Sequence, residues 1–105
     1  MVVIHPSEVK NQGVIEPLEI TKEANFAGVV DRDIVVRDGG TLYLFGTLSK
    51  DLAVQPGGKA IVFGTVMGDA WNWGGDLEIY GTVQGRLIRQ AGKTQMGRYS
   101  RVGHQ

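Results

Sequence analysis

The sequence predicts an all-β protein that folds as a single-stranded β-solenoid, a triangular β-helix of about four coils with 17–18 residues each. Three observations support this prediction: a phrase that recurs at nearly constant spacing, residue types that repeat in columns, and aliphatic residues that lie six positions apart. A fixed short period means that one structural unit is laid on the next, and each unit buries the apolar face of its neighbour.

The recurring phrase has the form Gly-x-aliphatic-x-aliphatic-aromatic-Gly-Thr-aliphatic. Its three copies are residues 40–48, 58–66 and 75–83, so the spacing is 18 and then 17 residues. Before the aromatic position the first and third copies alternate in the strand period of two. A Gly-Gly pair leads into each copy, with its second glycine as the first residue of the copy, and supplies the positive φ that tight corners need. The phrase therefore predicts short strands that are separated by corners.

Equivalent positions of the three copies form columns. Parallel strands about 4.8 Å apart must present the same shape at every level, so a solenoid stacks like residues on like residues. The aliphatic columns are Leu42, Ala60, Leu77; Leu44, Val62, Ile79; and Leu48, Val66, Val83; the aromatic column is Phe45, Phe63, Tyr80, and the hydroxyl column is Thr47, Thr65, Thr82.

An antiparallel β-meander or a barrel of hairpins is the alternative fold. Asp38-Gly39 is a strong hairpin signal, but hairpins do not need identical residues in column after column. The solenoid also explains a series of aliphatic residues spaced six apart, which divides a coil of 18 residues into three faces with an apolar interior. The series is Ala24, Val30, Val36, Leu42, Leu48, Val54, Ala60 and Val66.

The chain, residues 1–105, is predicted to be one domain with three parts. Residues 1–24 are a lead-in expected to cap one end, residues 25–92 carry the repeat, and residues 93–105 form a polar basic tail expected to be mobile unless a partner orders it. The absence of cysteine fits a cytoplasmic location. No apolar run approaches the roughly 20 residues of a membrane span, and no signal peptide is expected at the start.

The charges are unevenly placed in a chain that is neutral overall. Residues 1–78 hold six basic and all eleven acidic residues, a net charge of −5, and residues 79–105 hold five basic residues, a net charge of +5. A neutral protein has little protection against self-association. An acidic front and a basic rear also attract each other when two copies meet.

Two families share phrases with the repeat. Residues 75–86, Gly-Asp-Leu-Glu-Ile-Tyr-Gly-Thr-Val-Gln-Gly-Arg, resemble the coil phrase of the C-terminal domain of the division inhibitor MinC. Residues 64–69, Gly-Thr-Val-Met-Gly-Asp, resemble the Gly-x-Val-x-Gly-Asp phrase of bactofilins. The resemblance covers residues 28–92. Both families are small right-handed β-helices that work by self-association and protein contacts, so the resemblance implies right-handed winding and a scaffold or assembly role.

An enzyme is not expected. The six-residue spacing also suits left-handed hexapeptide acyltransferases, which resemble one another in using a histidine from within the coils. Here His5 and His104 lie outside the repeat, and residues as large as Tyr43 follow the aliphatic positions where those enzymes place a small residue. The sequence shows no catalytic, cofactor-binding or metal-ligating motif.

The candidate functional residues are surface positions for protein contact, and the expected partner is another copy of the chain, another protein, or both. Exposed tryptophan is typical of interface anchors and of sugar platforms. The candidates comprise two tryptophans that interrupt the repeat, an outward apolar row, the aromatic column and two basic residues: Trp71, Trp73; Val35, Ala53, Ile88; Phe45, Phe63, Tyr80; Arg86, Arg89.

Each candidate also has a structural explanation. A tryptophan could fill space in the shortened coil, and the two alignments of the repeat leave open whether Trp71 points inward like Val54 or outward like Ala53. The aromatic column could be a structural ladder, the corner geometry could tuck in the outward apolar row, and the basic run could be a solvated tail. Nucleic-acid binding is not expected, because the basic residues are loosely spaced.

Three functions follow from these candidates. The leading hypothesis is a non-enzymatic module that acts by protein–protein contact and self-associates. The main alternative is an immunity-type protein that binds and neutralises a cognate toxin. A third is a carbohydrate-binding module that uses Trp71 and Trp73.

Overall fold

A computed structural model describes residues 2–4 and 17–104 of the chain, with the side chains of residues 17–103. This part of the chain is all-β, as predicted, and contains thirteen strands. No helix in it is long and apolar enough to cross a membrane. The strands are β1 (Val2–Ile4), β2 (Leu18–Ile20), β3 (Glu23–Phe26), β4 (Val29–Val30), β5 (Ile34–Val36), β6 (Thr41–Leu44), β7 (Thr47–Leu48), β8 (Leu52–Val54), β9 (Lys59–Val62), β10 (Thr65–Val66), β11 (Ala70–Ile79), β12 (Thr82–Met96) and β13 (Arg101–His104).

The strands pair in parallel, one coil with the next. Thr41 pairs with Lys59, and Lys59 pairs with Asp76, so the register follows the sequence repeat. All twelve pairings among the described strands are parallel. Strands joined by tight hairpins pair antiparallel. The β-solenoid prediction is therefore confirmed, and the meander or barrel is excluded.

Three ladders of strands form the three faces of the solenoid, which we number in chain order. Each coil passes through face 1, face 2 and face 3 before it returns to face 1 one level further on. Face 1 holds β1, β3, β6, β9, residues 76–79 and residues 93–96; face 2 holds β4, β7, β10, residues 82–83 and β13; face 3 holds β2, β5, β8, residues 70–72 and residues 87–89.

The solenoid has about five coils, one more than the sequence predicts. The lead-in contributes β1 and β2, and the tail contributes residues 93–96 and β13. The prediction of a mobile tail is wrong, because residues 93–96 pair with residues 76–79 and β13 pairs with β12. The terminal coil needs few apolar residues, and Met96 and Val102 pack against the core from it. Residues 5–16 of the predicted cap, with His5, lie outside the described residues.

The interior of the solenoid is an apolar column that all three faces line. The series from Ala24 to Val66 is buried throughout, and so are the three predicted aliphatic columns. Phe26 continues one of these columns, since it pairs with Leu44 and is itself fully buried. Each buried side chain of this size contributes about 1.5–3 kcal/mol before the entropy of folding is subtracted. The predicted core is therefore confirmed.

Glycine turns lead the chain from face 3 back to face 1. The Gly40 N–H donates to the Arg37 carbonyl at 2.9 Å, and the φ of Gly39 is 84°. A positive φ at the third position together with this hydrogen bond is the signature of a type II turn. The same turn recurs where the Gly58 N–H donates to the Gln55 carbonyl at 2.9 Å. Asp38-Gly39 thus forms a corner of the solenoid and not a hairpin.

The corner from face 1 to face 2 brings successive coils very close together. The N–H groups of Phe45 and Gly46 both donate to the Phe26 carbonyl, at 2.9 and 3.1 Å. A Cβ on Gly64, the equivalent residue of the next coil, would lie 1.9 Å from the Gly46 carbonyl oxygen. The residue that precedes threonine in every copy of the phrase must therefore be glycine, because any side chain would clash with the backbone of the preceding coil.

Candidate protein-contact surface on face 3

Face 3 presents a row of apolar side chains to solvent, which we call the apolar row. Val35 pairs with Ala53, Ala53 with Trp71, and Trp71 with Ile88, so four successive coils each contribute one residue at the same outward position. In the coil before them this position is Glu19, which pairs with Val35. All four side chains of the apolar row are partly exposed. Trp71 therefore occupies the position of Ala53, which decides between the two alignments that the sequence left open.

Trp73 stands beside Trp71 on the same outward side. The two indole rings lie 5.3 Å apart between centroids, with an interplanar angle of 6°. Trp73 is 43% exposed. Neither ring fills the interior of the shortened coil, because Ala70 and Asn72 are the residues buried there. Both tryptophans therefore lie on the surface. The explanation that a tryptophan fills space inside the shortened coil does not hold.

Asn72 is a buried polar residue that the sequence reasoning missed. It pairs with Val54 in register and is fully buried. Its Nδ2 has two hydrogens and lies within hydrogen-bond distance of three acceptors, the carbonyl oxygens of Gly75 and Lys93 at 3.1 and 3.0 Å and the Thr94 hydroxyl at 2.9 Å. Its Oδ1 accepts from the N–H groups of Gly74 and Gly75 at 3.1 and 2.9 Å.

In the shortened coil, the corner from face 3 to face 1 lacks one residue, and the Asn72 side-chain amide makes the hydrogen bond that the backbone of that residue would make. In the preceding coil the N–H of the second glycine is bound by the Gln55 carbonyl, whereas here the equivalent Gly75 N–H is bound by the Asn72 side chain. Asparagine commonly mimics a backbone turn in this way. The available sequence signal was an asparagine ahead of the Gly-Gly pair where the repeat shortens. The amide fixes the strand that carries both tryptophans.

A column of charged residues, which we call the border column, runs beside the apolar row. Each aspartate of this column accepts a hydrogen bond from the backbone N–H of the next level, so the carboxylates are held in place. Asp33 accepts from Asp51 at 2.9 Å, Asp51 from Asp69 at 2.7 Å, and Asp69 from Arg86 at 2.7 Å. The guanidinium Nη2 of Arg86 lies 3.7 Å from Asp69 Oδ2. The border column therefore changes from negative to positive along the stack.

A groove of about 260 Å³ lies on face 3 between the border column and the tryptophans. Its lining includes the side chains of Asp33, Val35, Asp51, Ala53 and the two tryptophans. The groove offers apolar contact area with carboxylates at its rim and no paired acid and base at hydrogen-bond distance. Among the described residues, no three His, Cys, Asp or Glu side chains are grouped so that they could hold a metal ion.

Arg86 and Arg89 lie at the basic end of face 3. Both side chains are exposed. Arg89 pairs with Asn72 and so occupies an inward register position, and no described strand lies beyond it on this face. Face 3 thus brings together seven of the ten candidate residues: the four of the apolar row, Trp73, Arg86 and Arg89.

The other three candidates form a separate ladder at the corner between faces 1 and 2. Phe45 stacks on Phe63 with ring centroids 5.1 Å apart, and Phe63 stacks on Tyr80 at 5.5 Å. All three rings are exposed by 44–53%. Stacked aromatic rings stabilise one another in this geometry, and their exposed edges provide a second apolar surface away from face 3.

Tyr80 carries a perturbed hydroxyl at the end of this ladder. Its hydroxyl donates to Glu78 Oε1 at 2.6 Å, and this hydrogen bond raises the pKa of Tyr80 above its ordinary value of 10.0, with desolvation and the carboxylate charge acting in the same direction. We expect the Tyr80 pKa to fall in Glu78→Gln, as followed by the ultraviolet absorbance of the phenolate, with Tyr43→Phe and Tyr99→Phe assigning the signal.

The same shift has a consequence for stability. Because the folded protein holds the Tyr80 proton more tightly, the contribution is present below the ordinary tyrosine pKa and is lost as the pH rises through the raised value. An unchanged phenolate titration in Glu78→Gln would show that the carboxylate does not control Tyr80.

No family model, curated protein or solved structure matches the chain. The resemblance to bactofilins and to the C-terminal domain of MinC therefore stays a prediction, and so does the right-handed winding that it implies. The functional conclusion depends on the geometry of face 3.

Proposed function

We propose that this protein is a non-enzymatic protein-interaction module that self-associates through face 3. The observation that carries the proposal is the apolar row, Val35 to Ile88, which is in register over four coils and has the stacked Trp73 at its side. Contiguous exposed apolar surface marks protein contact sites, and tryptophan is enriched among the residues that dominate their energy.

Two further properties support a second copy as the partner. The chain has zero net charge, so copies do not repel one another at long range. The contact residues lie on hydrogen-bonded strands, and the tryptophans are anchored by Asn72. A surface that is ordered in advance loses little conformational entropy when it binds.

Substitution of the central tryptophan tests the proposal. We expect Trp71→Ser to weaken self-association by about 2 kcal/mol or more, roughly 30-fold in Kd, because a buried aromatic anchor is lost. Sedimentation equilibrium over a wide concentration range measures the effect. Thermal unfolding of the same variant checks that the solenoid is intact, as expected for a side chain on the outside.

Phe63→Ser is the matched control, since it removes a comparable exposed ring from the aromatic ladder. It should leave the dimerisation constant nearly unchanged. If Phe63→Ser abolishes association and Trp71→Ser does not, the contact surface is the ladder and the assignment to face 3 is wrong. A wild-type protein that stays monomeric at every concentration rejects self-association altogether.

A carbohydrate-binding role is the second candidate, and the groove favours it. Trp71 and Trp73 are stacked beside the carboxylates of Asp33 and Asp51, and aromatic faces with nearby acceptors suit sugar rings and their hydroxyls. A glycan array probed with wild type and Trp73→Ala distinguishes this role. An immunity-type protein would use the same apolar surface to bind a different protein. If the wild type stays monomeric, this role is the protein-contact function that remains.

A further inference from the structure

We infer that two copies pair face 3 to face 3 with their solenoid axes antiparallel, so that the apolar row of one copy meets that of the other in reverse order. The inference rests on the proposed self-association through face 3 and specifies its geometry. The corresponding symmetry is a two-fold axis along the strand direction, between the levels of Ala53 and Trp71.

Side-chain size is the main argument for the reverse order. Along the stack the apolar row reads Val35, Ala53, Trp71, Ile88. Pairing in the same order would place indole on indole at one level and leave a gap between two alanines at the next. Reverse order places Trp71 of each copy on Ala53 of the other, and Val35 on Ile88. Since stable interfaces pack as densely as protein interiors, reverse order fits this row better.

Opposite charges at the two ends of the border column are compatible with the reverse order. Asp33 lies at the level of Val35, and Arg86 lies at the level of Ile88, at opposite ends of the border column. The two-fold axis along the strand direction reverses the order of the levels and keeps the strand direction. The two border columns therefore face each other, and Arg86 of each copy meets Asp33 of the other. Opposite charges that meet across an interface help to fix its register.

Same-order pairing offers a comparable charge contact. A two-fold axis along the stack would set Asp33 against Arg37 of the other copy. Arg37 pairs with Glu19 in its own chain, just as Arg86 pairs with Asp69.

The reverse order also has an unfavourable contact, which the two-fold axis makes twice, since Asp51 of each copy faces Asp69 of the other. The backbone N–H groups that both carboxylates bind hold these charges in place. Two ion pairs flank these two contacts, so charge gives reverse order little net advantage, and side-chain size decides the order.

The size of the face sets the expected strength. Four levels about 4.8 Å apart, with about five residues per level when the residues flanking each strand are included, such as Asp33 and Arg37 beside β5, at about 3.3 Å each, give a contact of roughly 19 by 16 Å. This area is smaller than the standard interface of about 800 Å² for each partner. We therefore expect a weak, reversible dimer that forms at high protein concentration.

Site-specific cross-linking tests the geometry, because the chain has no cysteine and introduced thiols have no background. Facing sheets lie about 10 Å apart, farther than a disulfide spans, so a short bismaleimide joins the thiols. In reverse order Val35 faces Ile88 of the other copy, whereas two Val35 residues are displaced by three levels, about 14 Å along the stack. An equimolar mixture of Val35→Cys and Ile88→Cys should cross-link, and either variant alone should give several-fold less product.

The outcomes separate the two proposals. Cross-linking of Val35→Cys with itself and not with Ile88→Cys would overturn the reverse order and leave self-association standing. No concentration-dependent dimer of the wild type in sedimentation would overturn both. Thermal unfolding of each variant verifies folding, which both outward, partly exposed positions should tolerate.

A charge reversal needs no cysteine and gives an independent readout. Arg86→Glu should weaken the dimer several-fold at low salt, whereas Arg98→Glu, which changes another exposed arginine outside face 3, should have little effect. Equal effects of the two reversals would overturn the Arg86–Asp33 pairing.

Discussion

Gly64→Ala is expected to unfold the protein or to destabilise it by more than about 3 kcal/mol, because overpacking costs about 1–3 kcal/mol even where side chains can adjust. The added Cβ would lie 1.9 Å from the Gly46 carbonyl oxygen and 2.7 Å from that of Phe45. Backbone cannot move aside here, since the Gly64 N–H binds the Leu44 carbonyl at 2.9 Å and the Thr65 N–H binds that of Gly46 at 3.0 Å. Domains of this kind have only about 5–15 kcal/mol of stability in total.

Gly39→Ala is the control that distinguishes a steric clash of the added Cβ from the cost of a left-handed backbone conformation. Gly39 has a φ of 84°, and a Cβ there would meet only the Thr21 carbonyl oxygen at 3.6 Å. The left-handed conformation costs an alanine about 1–2 kcal/mol. Gly64 has no positive φ, so its substitution tests close approach alone. Urea denaturation of both variants measures the difference, and a larger loss in Gly39→Ala would contradict the argument.

The repeat of the sequence was sufficient to predict the fold. A stack of parallel coils needs the same side-chain shape at every level, so Leu44, Val62 and Ile79 could be assigned to one buried column without a structure. The ends were harder, because a terminal coil has a neighbour on one side only. Thr94 takes the column position of Leu77, and its hydroxyl is satisfied by Asn72, so a polar segment completes the stack.

The candidate surface could be predicted only in part. An outward row follows from the strand period, and Val35, Ala53 and Ile88 were identified on that basis. The place of Trp71 did not follow, because the 17-residue step allows two alignments. The groove also depends on Asp33 and Asp51, whose positions at the rim result from the corner geometry. Asn72 was missed because its partners Lys93 and Thr94 belong to the next coil.

Asn72→Val is the second substitution with a large expected effect. The equivalent residue of the preceding coil is Val54. The repeat of residue types alone therefore suggests that valine at position 72 would not reduce the stability of the fold. We expect a loss of about 3–5 kcal/mol instead, because several backbone and side-chain groups lose their partner and each buried unpaired group costs about 1–3 kcal/mol. The N–H of Gly75 and the carbonyl of Lys93 are among them. Urea denaturation measures the loss.

Two variants show whether the amide or its position is responsible. Gln90→Leu removes an exposed amide nearby and should change stability by no more than about 0.5 kcal/mol. Val54→Asn introduces the amide into the preceding coil, where the Gln55 carbonyl already binds the Gly58 N–H, so it should destabilise as well. If Asn72→Val is as stable as the wild type, the corner does not depend on the amide. Because Asn72 lies between Trp71 and Trp73 in β11, the same variant should also weaken self-association among its folded molecules.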